Sequence, residues 1–142
     1  MRALLDVNVL IALFDSQHVH HETARQWLRD NIRDGWATCP ITQNGCLRIM
    51  AQPGYPNNLP TQAVAQRLGE AIDTGYHQFW PDDASLLDSN IVDWRRIVGP
   101  RQITDVYLLA LATARQGRFV TFDAHITPDS VLGARDPNYC VI

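Results

Sequence analysis

Leu4-Leu5-Asp6-Val7-Asn8-Val9-Leu10, "LLDVNVL", decides how this chain is read. A strand pattern over 2–5 stops at a carboxylate, an amide follows two residues later, and an apolar run over 7–14 continues as a helix. Comparable handovers recur downstream. "FVTFDAH" (119–125) closes a strand pattern with Asp123, and "QITDVYLLALA" (102–112) opens a helix with Asp105. In an open parallel sheet, ligands bind outside the carboxyl ends of the strands. Acids placed there converge on one cleft, and converging carboxylates repel unless a proton or a cation comes between them. The cation that suits such oxygen ligands is Mg²⁺ or Mn²⁺.

Working outward, five strand patterns (2–5, 36–39, 77–80, 118–122 and 139–142) alternate with helical ones (7–14, 20–33, 41–51, 61–74, 90–98 and 103–116). Such alternation predicts a single α/β domain over 1–142, with a mostly parallel sheet of about five short strands and helices on both faces. Gly35, Gly75, Gly99 and Gly117 follow helical patterns where stop residues are expected. "PGYPNNLP" (53–60) is a loop, since three prolines, a glycine and two asparagines cannot continue a helix.

Composition narrows the function. The chain has 142 residues, 46% of them hydrophobic, enough for one sizeable core. No apolar stretch approaches the roughly 18 to 20 residues that span a bilayer. The sequence enters a strand pattern directly, without a charged leader, so a cytoplasmic protein is expected. Cys39, Cys46 and Cys140 lack CxxC spacing and read as free thiols. Net charge is −3, and all twelve basic residues are Arg. With no lysine, a P-loop is excluded.

Each candidate has a plainer alternative. Asp6 can cap the helix after it, with Asn8 pinning the turn. Thr104 reads as the N-cap of the helix that Asp105 opens, where a carboxylate favours the dipole. Against that, the helix is apolar nearly all round, so its mouth faces a cleft rather than bulk solvent. Thr121 is placed to orient neighbouring carboxylates through its hydroxyl. Trp94-Arg95-Arg96 offers a stacking surface beside two guanidinium groups, a possible RNA contact, although Trp94 as a core anchor is the plainer reading. His18, His20 and His21 read as structural rather than as a zinc site. Asp82-Asp83, after Pro81, read as the cap of a short helix.

"LLDVNVLIAL", "PITQNGCLRI", "RQITDVYLLALA" and "FVTFD", in that order, resemble the successive motifs of PIN-domain ribonucleases, and among them the VapC toxins of VapBC toxin–antitoxin systems. The resemblance covers essentially the whole chain, including "HVHHETARQWL" and "HQFWPDDASLL". It implies a Mg²⁺- or Mn²⁺-dependent endoribonuclease that halts translation by cutting RNA, leaving a 5′-phosphate and a 3′-hydroxyl. It also implies a VapB-type antitoxin that blocks it, and a homodimer. Asp6, Asp105 and Asp123 match the metal-binding aspartates, and Asn8 the polar residue of the first motif. The glutamate that completes the family's acidic set is absent from residues 42–48; Gln43 is the expected occupant, with Asn44 next. That absence keeps a catalytically weakened binding module as the alternative. A haloacid-dehalogenase-like phosphatase would need a second acid where Asn8 stands, and usually a lysine.

Overall fold

The computed structural model describes all 142 residues, Met1–Ile142. Strands β1 (Ala3–Leu5), β2 (Trp36–Thr38), β3 (His77–Phe79), β4 (Arg118–Thr121) and β5 (Tyr139–Val141) form one sheet in the order β3-β2-β1-β4-β5. Every neighbouring pair is parallel. Five helices accompany them: α1 (Val7–Phe14), α2 (His21–Asn31), α3 (Pro40–Met50), α4 (Thr61–Ile72) and α5 (Ile103–Ala114). None is long and apolar enough to cross a membrane.

Alternate strand residues feed two cores, because successive side chains leave a strand on opposite faces. Leu4, Ala37 and Phe119 pack with Leu108, Leu109 and Leu111 of α5 on one face. Ala3, Leu5, Trp36 and Val120 pack on the other with residues of α1 to α4, among them Leu10, Ala24, Cys46 and Val64. The sheet is thus a double-sided α/β layer, as its strand pattern predicts. From central β1 the chain steps outward through β2 to β3, then returns to the far side of β1 for β4. The winding reverses between β1 and β4, and there the connections leave the sheet in opposite directions and open a crevice.

Three local expectations are corrected. Residues 90–98 are not a helix; only Trp94–Arg96 closes a 3₁₀ turn. Short polar side chains compete for the backbone of residues 85–95. Ser85 accepts from Leu87 N–H, Asp88 from Asn90 N–H at 2.8 Å, and Asp93 from Arg95 N–H. Asp82 caps no helix of its own: its Oδ2 accepts from Ile41 N–H at 3.2 Å, in the first turn of α3. Thr104 does not cap α5 either. The helix begins one residue earlier, and Gln102 at the cap makes no side-chain cap bond.

Two close approaches fix how elements pack, one beside the crevice and one at the opposite edge of the sheet. A Cβ on Gly45 would come within 2.5 Å of the Val7 side chain, so glycine lets α3 lie against the first turn of α1. The stop after α5 uses Gln116, not Gly117, in the left-handed region at φ 55°. Gly117 then donates to Ala112 O at 2.8 Å, and a Cβ there would strike Trp80 and the Arg2 carbonyl.

Candidate active site

Asp6 stands one residue beyond β1 and caps α1, its Oδ1 accepting from Val7 N–H at 2.7 Å. Its backbone N–H donates to Val120 O of β4 at 2.9 Å, which ties it to the switch point. Thr121, the last residue of β4, donates its hydroxyl to Asp6 Oδ2 at 2.6 Å. The same hydroxyl oxygen accepts from Asp123 N–H at 3.1 Å and from Asn8 Nδ2 at 3.2 Å. Asn8 Nδ2 also donates to Asp123 Oδ2 at 3.2 Å. Asp105 reaches the same crevice from the first turn of α5, and all three aspartates line one cleft of about 490 Å³.

The electrostatics follow from burial. Asp6 is 7% exposed, and its carboxyl is pushed up to about 6. Loss of solvation is the main cause and the charges of Asp105 and Asp123 add to it, while the Thr121 and Val7 hydrogen bonds oppose it. The Asp105 carboxyl is raised as well, by burial first and then by Asp123, with His125 opposing. Carboxylates that raise one another mark a site short of positive charge.

The donor set fits a hard divalent cation. It is made of oxygens, and Asn8 Oδ1 is buried with no hydrogen-bond partner. No three His, Cys, Asp or Glu side chains close into a direct cage. Mg²⁺ itself keeps several waters and binds through one or two carboxylates.

The opposite wall is α3, but not through Gln43. The Gln43 amide Nε2 donates to Thr38 Oγ1 at 2.9 Å, at the end of β2, and that hydroxyl also meets His77 Nε2 at 2.9 Å. Asn44, Gly45, Arg48 and Ile49 face the aspartates instead. Thr104 lines the rim beside Asp105. On the side of Asp123, His125 holds its Nε2 3.6 Å from Asp123 Oδ1. Arg48 and His125 escaped the sequence reading. The signal for Arg48 was its i, i+4 spacing from Asn44, which puts both on one helical face.

Other candidates lie elsewhere. Trp94, Arg95 and Arg96 do not line the cleft. Trp94 is half-exposed rather than a core anchor, its indole N–H donating to Leu86 O at 3.0 Å. Arg95 grips both oxygens of Asp93 at 2.9 and 3.0 Å, and Arg96 pairs with Asp93 and Asp129. His21 meets Ala12 O at 2.6 Å, His18 accepts from His20 N–H at 3.1 Å, and His20 stacks on Phe122.

The sequence is also similar to known proteins. The profile of the PIN domain matches residues 3–127. This chain is a PIN-domain protein of the VapC family. It is 52% identical to Ribonuclease VapC44 of Mycobacterium tuberculosis over 134 residues, covering 94% of each chain. It is 41% identical to Ribonuclease VapC39 of the same organism, covering 94% of this chain and 96% of the relative. Ribonuclease VapC38 is 44% identical, over 87% and 86% of the two chains. In this PIN domain, the three aspartates occupy the switch point of the parallel sheet, and a neutral Asn44 faces them from α3.

Proposed function

We propose that this PIN domain is a Mg²⁺- or Mn²⁺-dependent endoribonuclease toxin, acting in the cytoplasm to stop translation by cutting RNA. The observation that carries this is the meeting of Asp6, Asp105 and Asp123 in one crevice, two of them with raised pKa values, beside the orphaned Asn8 Oδ1. The names of its VapC relatives agree with it.

Asp6, Asp105 and Asp123 would hold the cation, with Asn8 beside them. A carboxylate-held Mg²⁺ supplies neutralisation of phosphate charge and a lowered pKa for the attacking water. The chain's own groups prepare that place. Thr121 and the Val7 N–H hold both oxygens of Asp6, so its carboxylate cannot turn away. Asn8 holds Asp123 through its amide nitrogen, and its buried oxygen has no hydrogen-bond partner. Arg48 brings positive charge to the facing wall, where a phosphate oxygen must sit.

The decisive test is cleavage of a cellular RNA mixture with Mg²⁺, with Mn²⁺ and with EDTA, for the wild type and for Asp105→Asn. Cleavage that needs metal and falls at least about 100-fold in the variant supports the proposal, since each such group supplies several kcal/mol of transition-state stabilisation. Metal-independent cleavage, or full activity in Asp105→Asn, refutes it. A VapB-type antitoxin would neutralise the enzyme by placing a basic side chain among the aspartates in competition with the cation. A homodimer is part of the proposal, checked by light scattering. Because α3 contributes no acid to the cleft, the second reading is a binding module with weakened catalysis; RNA binding without cleavage at saturating Mn²⁺ would favour it.

A further inference from the structure

One hollow continues the acidic cleft on the α3 side, and a separate one lies next to it on the α5 side. On the α3 side, a hollow of about 450 Å³ shares Asn44 and Arg48 with it and runs to Thr61 and Gln62 at the start of α4. That helix begins after Pro60 with no side-chain cap, so its first N–H groups are open to an anion. On the α5 side, a hollow of about 430 Å³ lies against Arg101, Gln102 and His125. His125 of this second hollow holds its Nε2 3.6 Å from the Asp123 carboxylate of the cleft, so the two are neighbours.

Arg48 and Arg101 mark the two ends, and neither guanidinium has an ion-pair partner. Arg25, Arg29, Arg95, Arg96, Arg115 and Arg118 are each paired with Asp or Glu; Arg2, Arg33, Arg67 and Arg135 are also without an ion pair but line neither the cleft nor these two hollows. A polyanion approaching three carboxylates is repelled at the centre and needs cations on either side of it. Arg suits that task, because its planar fork takes phosphate oxygens bidentately. The hollows beside the cleft have room for bases only where a strand is unpaired, since a duplex keeps its bases stacked inside.

We propose that Arg48 and Arg101 bind the backbone phosphates on either side of the acidic centre. A single RNA strand then crosses the molecule from the start of α4, past the three aspartates, to the 98–102 loop. This rests on the nuclease reading above and adds the path of its substrate.

The test measures fluorescence anisotropy of a labelled single-stranded RNA oligonucleotide with the Asp105→Asn protein in Mg²⁺, across a salt series. In that background, Arg48→Gln and Arg101→Gln should each weaken binding by about 5- to 10-fold at low salt. Each should lower the slope of log K against log salt by about 0.7, the value for one phosphate contact on a single strand. Arg48→Lys and Arg101→Lys should keep the slope, which separates charge from folding. Arg95→Gln and Arg96→Gln, already paired with Asp93, should change neither quantity. If the parent binds RNA and the wild type cuts it, but the two glutamine variants keep affinity and slope, the path is wrong and the nuclease reading stands. If the wild type neither binds nor cuts RNA, both fall. Loss of binding to a co-purified antitoxin, with RNA affinity unchanged, would assign these arginines to a protein contact and overturn the inference.

Discussion

The charge on Asp6 should set how stability depends on pH when metal is absent. A carboxyl that titrates near 6 in the native state and near 3.8 in the unfolded chain holds its proton more tightly when folded. Its contribution is therefore full at low pH and is lost as pH rises through about 6. At about 1.4 kcal/mol per pH unit, the whole loss by pH 7.5 is about 3 kcal/mol. By pH 4.5, about 2 kcal/mol of this is recovered. Asp6→Asn removes the charge but not the burial. Its amide oxygen can still accept from Val7 N–H. The amide nitrogen then faces Thr121 Oγ1, which already receives Asn8 Nδ2 and Asp123 N–H, a loss of about 1 kcal/mol. In EDTA at pH 7.5 the variant should thus be more stable than wild type by about 2 kcal/mol, and near pH 4.5 the two should converge.

His77 acts in the same window with the opposite sign. Burial lowers its pKa, with Arg2 adding to the effect, so stability is lost as pH falls through the unfolded value. That contribution is common to both proteins and cancels in their difference. Urea denaturation of the pair at half-unit steps from pH 4.5 to 7.5 measures it, and Mn²⁺ should stabilise the wild type far more than the variant. A difference that stays constant across the range would refute the claim that Asp6 carries a buried, unneutralised charge.

Three further outcomes follow from the geometry. Asn44→Asp should raise Mn²⁺ affinity by calorimetry, because Asn44 faces the aspartates, whereas Gln43→Glu should leave it unchanged, since Gln43 is engaged with Thr38; equal gains from both would show that α3 is misplaced. Gly45→Ala should lower stability by about 1–2 kcal/mol despite its better helix propensity, because the new methyl meets Val7. Val7→Ala in the same protein should restore most of the loss, and thermal melts of the three variants read it. Tyr55→Phe should destabilise by about 1–3 kcal/mol above pH 5, as Asp15, 8% exposed, loses the Tyr55 hydroxyl that helps tie the 53–60 loop to the end of α1; denaturant midpoints equal to wild type would refute that role.

Much of this molecule was legible because its determinants are local. A strand pattern that continues directly into a helix placed Asp6, a strand pattern that ends in a loop placed Asp123, and an apolar helix with an acid in its first turn placed Asp105. The winding rule for parallel sheets then brings such residues to one edge, and the structure puts them in one cleft. Where polar side chains could bond their own backbone, over residues 85–95, apolar spacing misled and a helix was expected where turns occur. The facing wall was decided by tertiary contact alone. Gly45 yields to Val7 across the crevice, and that contact helps fix the rotation of α3, with Asn44 and Arg48 toward the aspartates and Gln43 toward Thr38. Residues 43 and 44 are separated by about 100° around a helix axis, so sequence spacing cannot say which of them meets a partner from another element. Pairing among the arginines is likewise a matter of distance in space. Asp93 neutralises Arg95 and Arg96, while Arg48 and Arg101 keep their charge free beside the cleft.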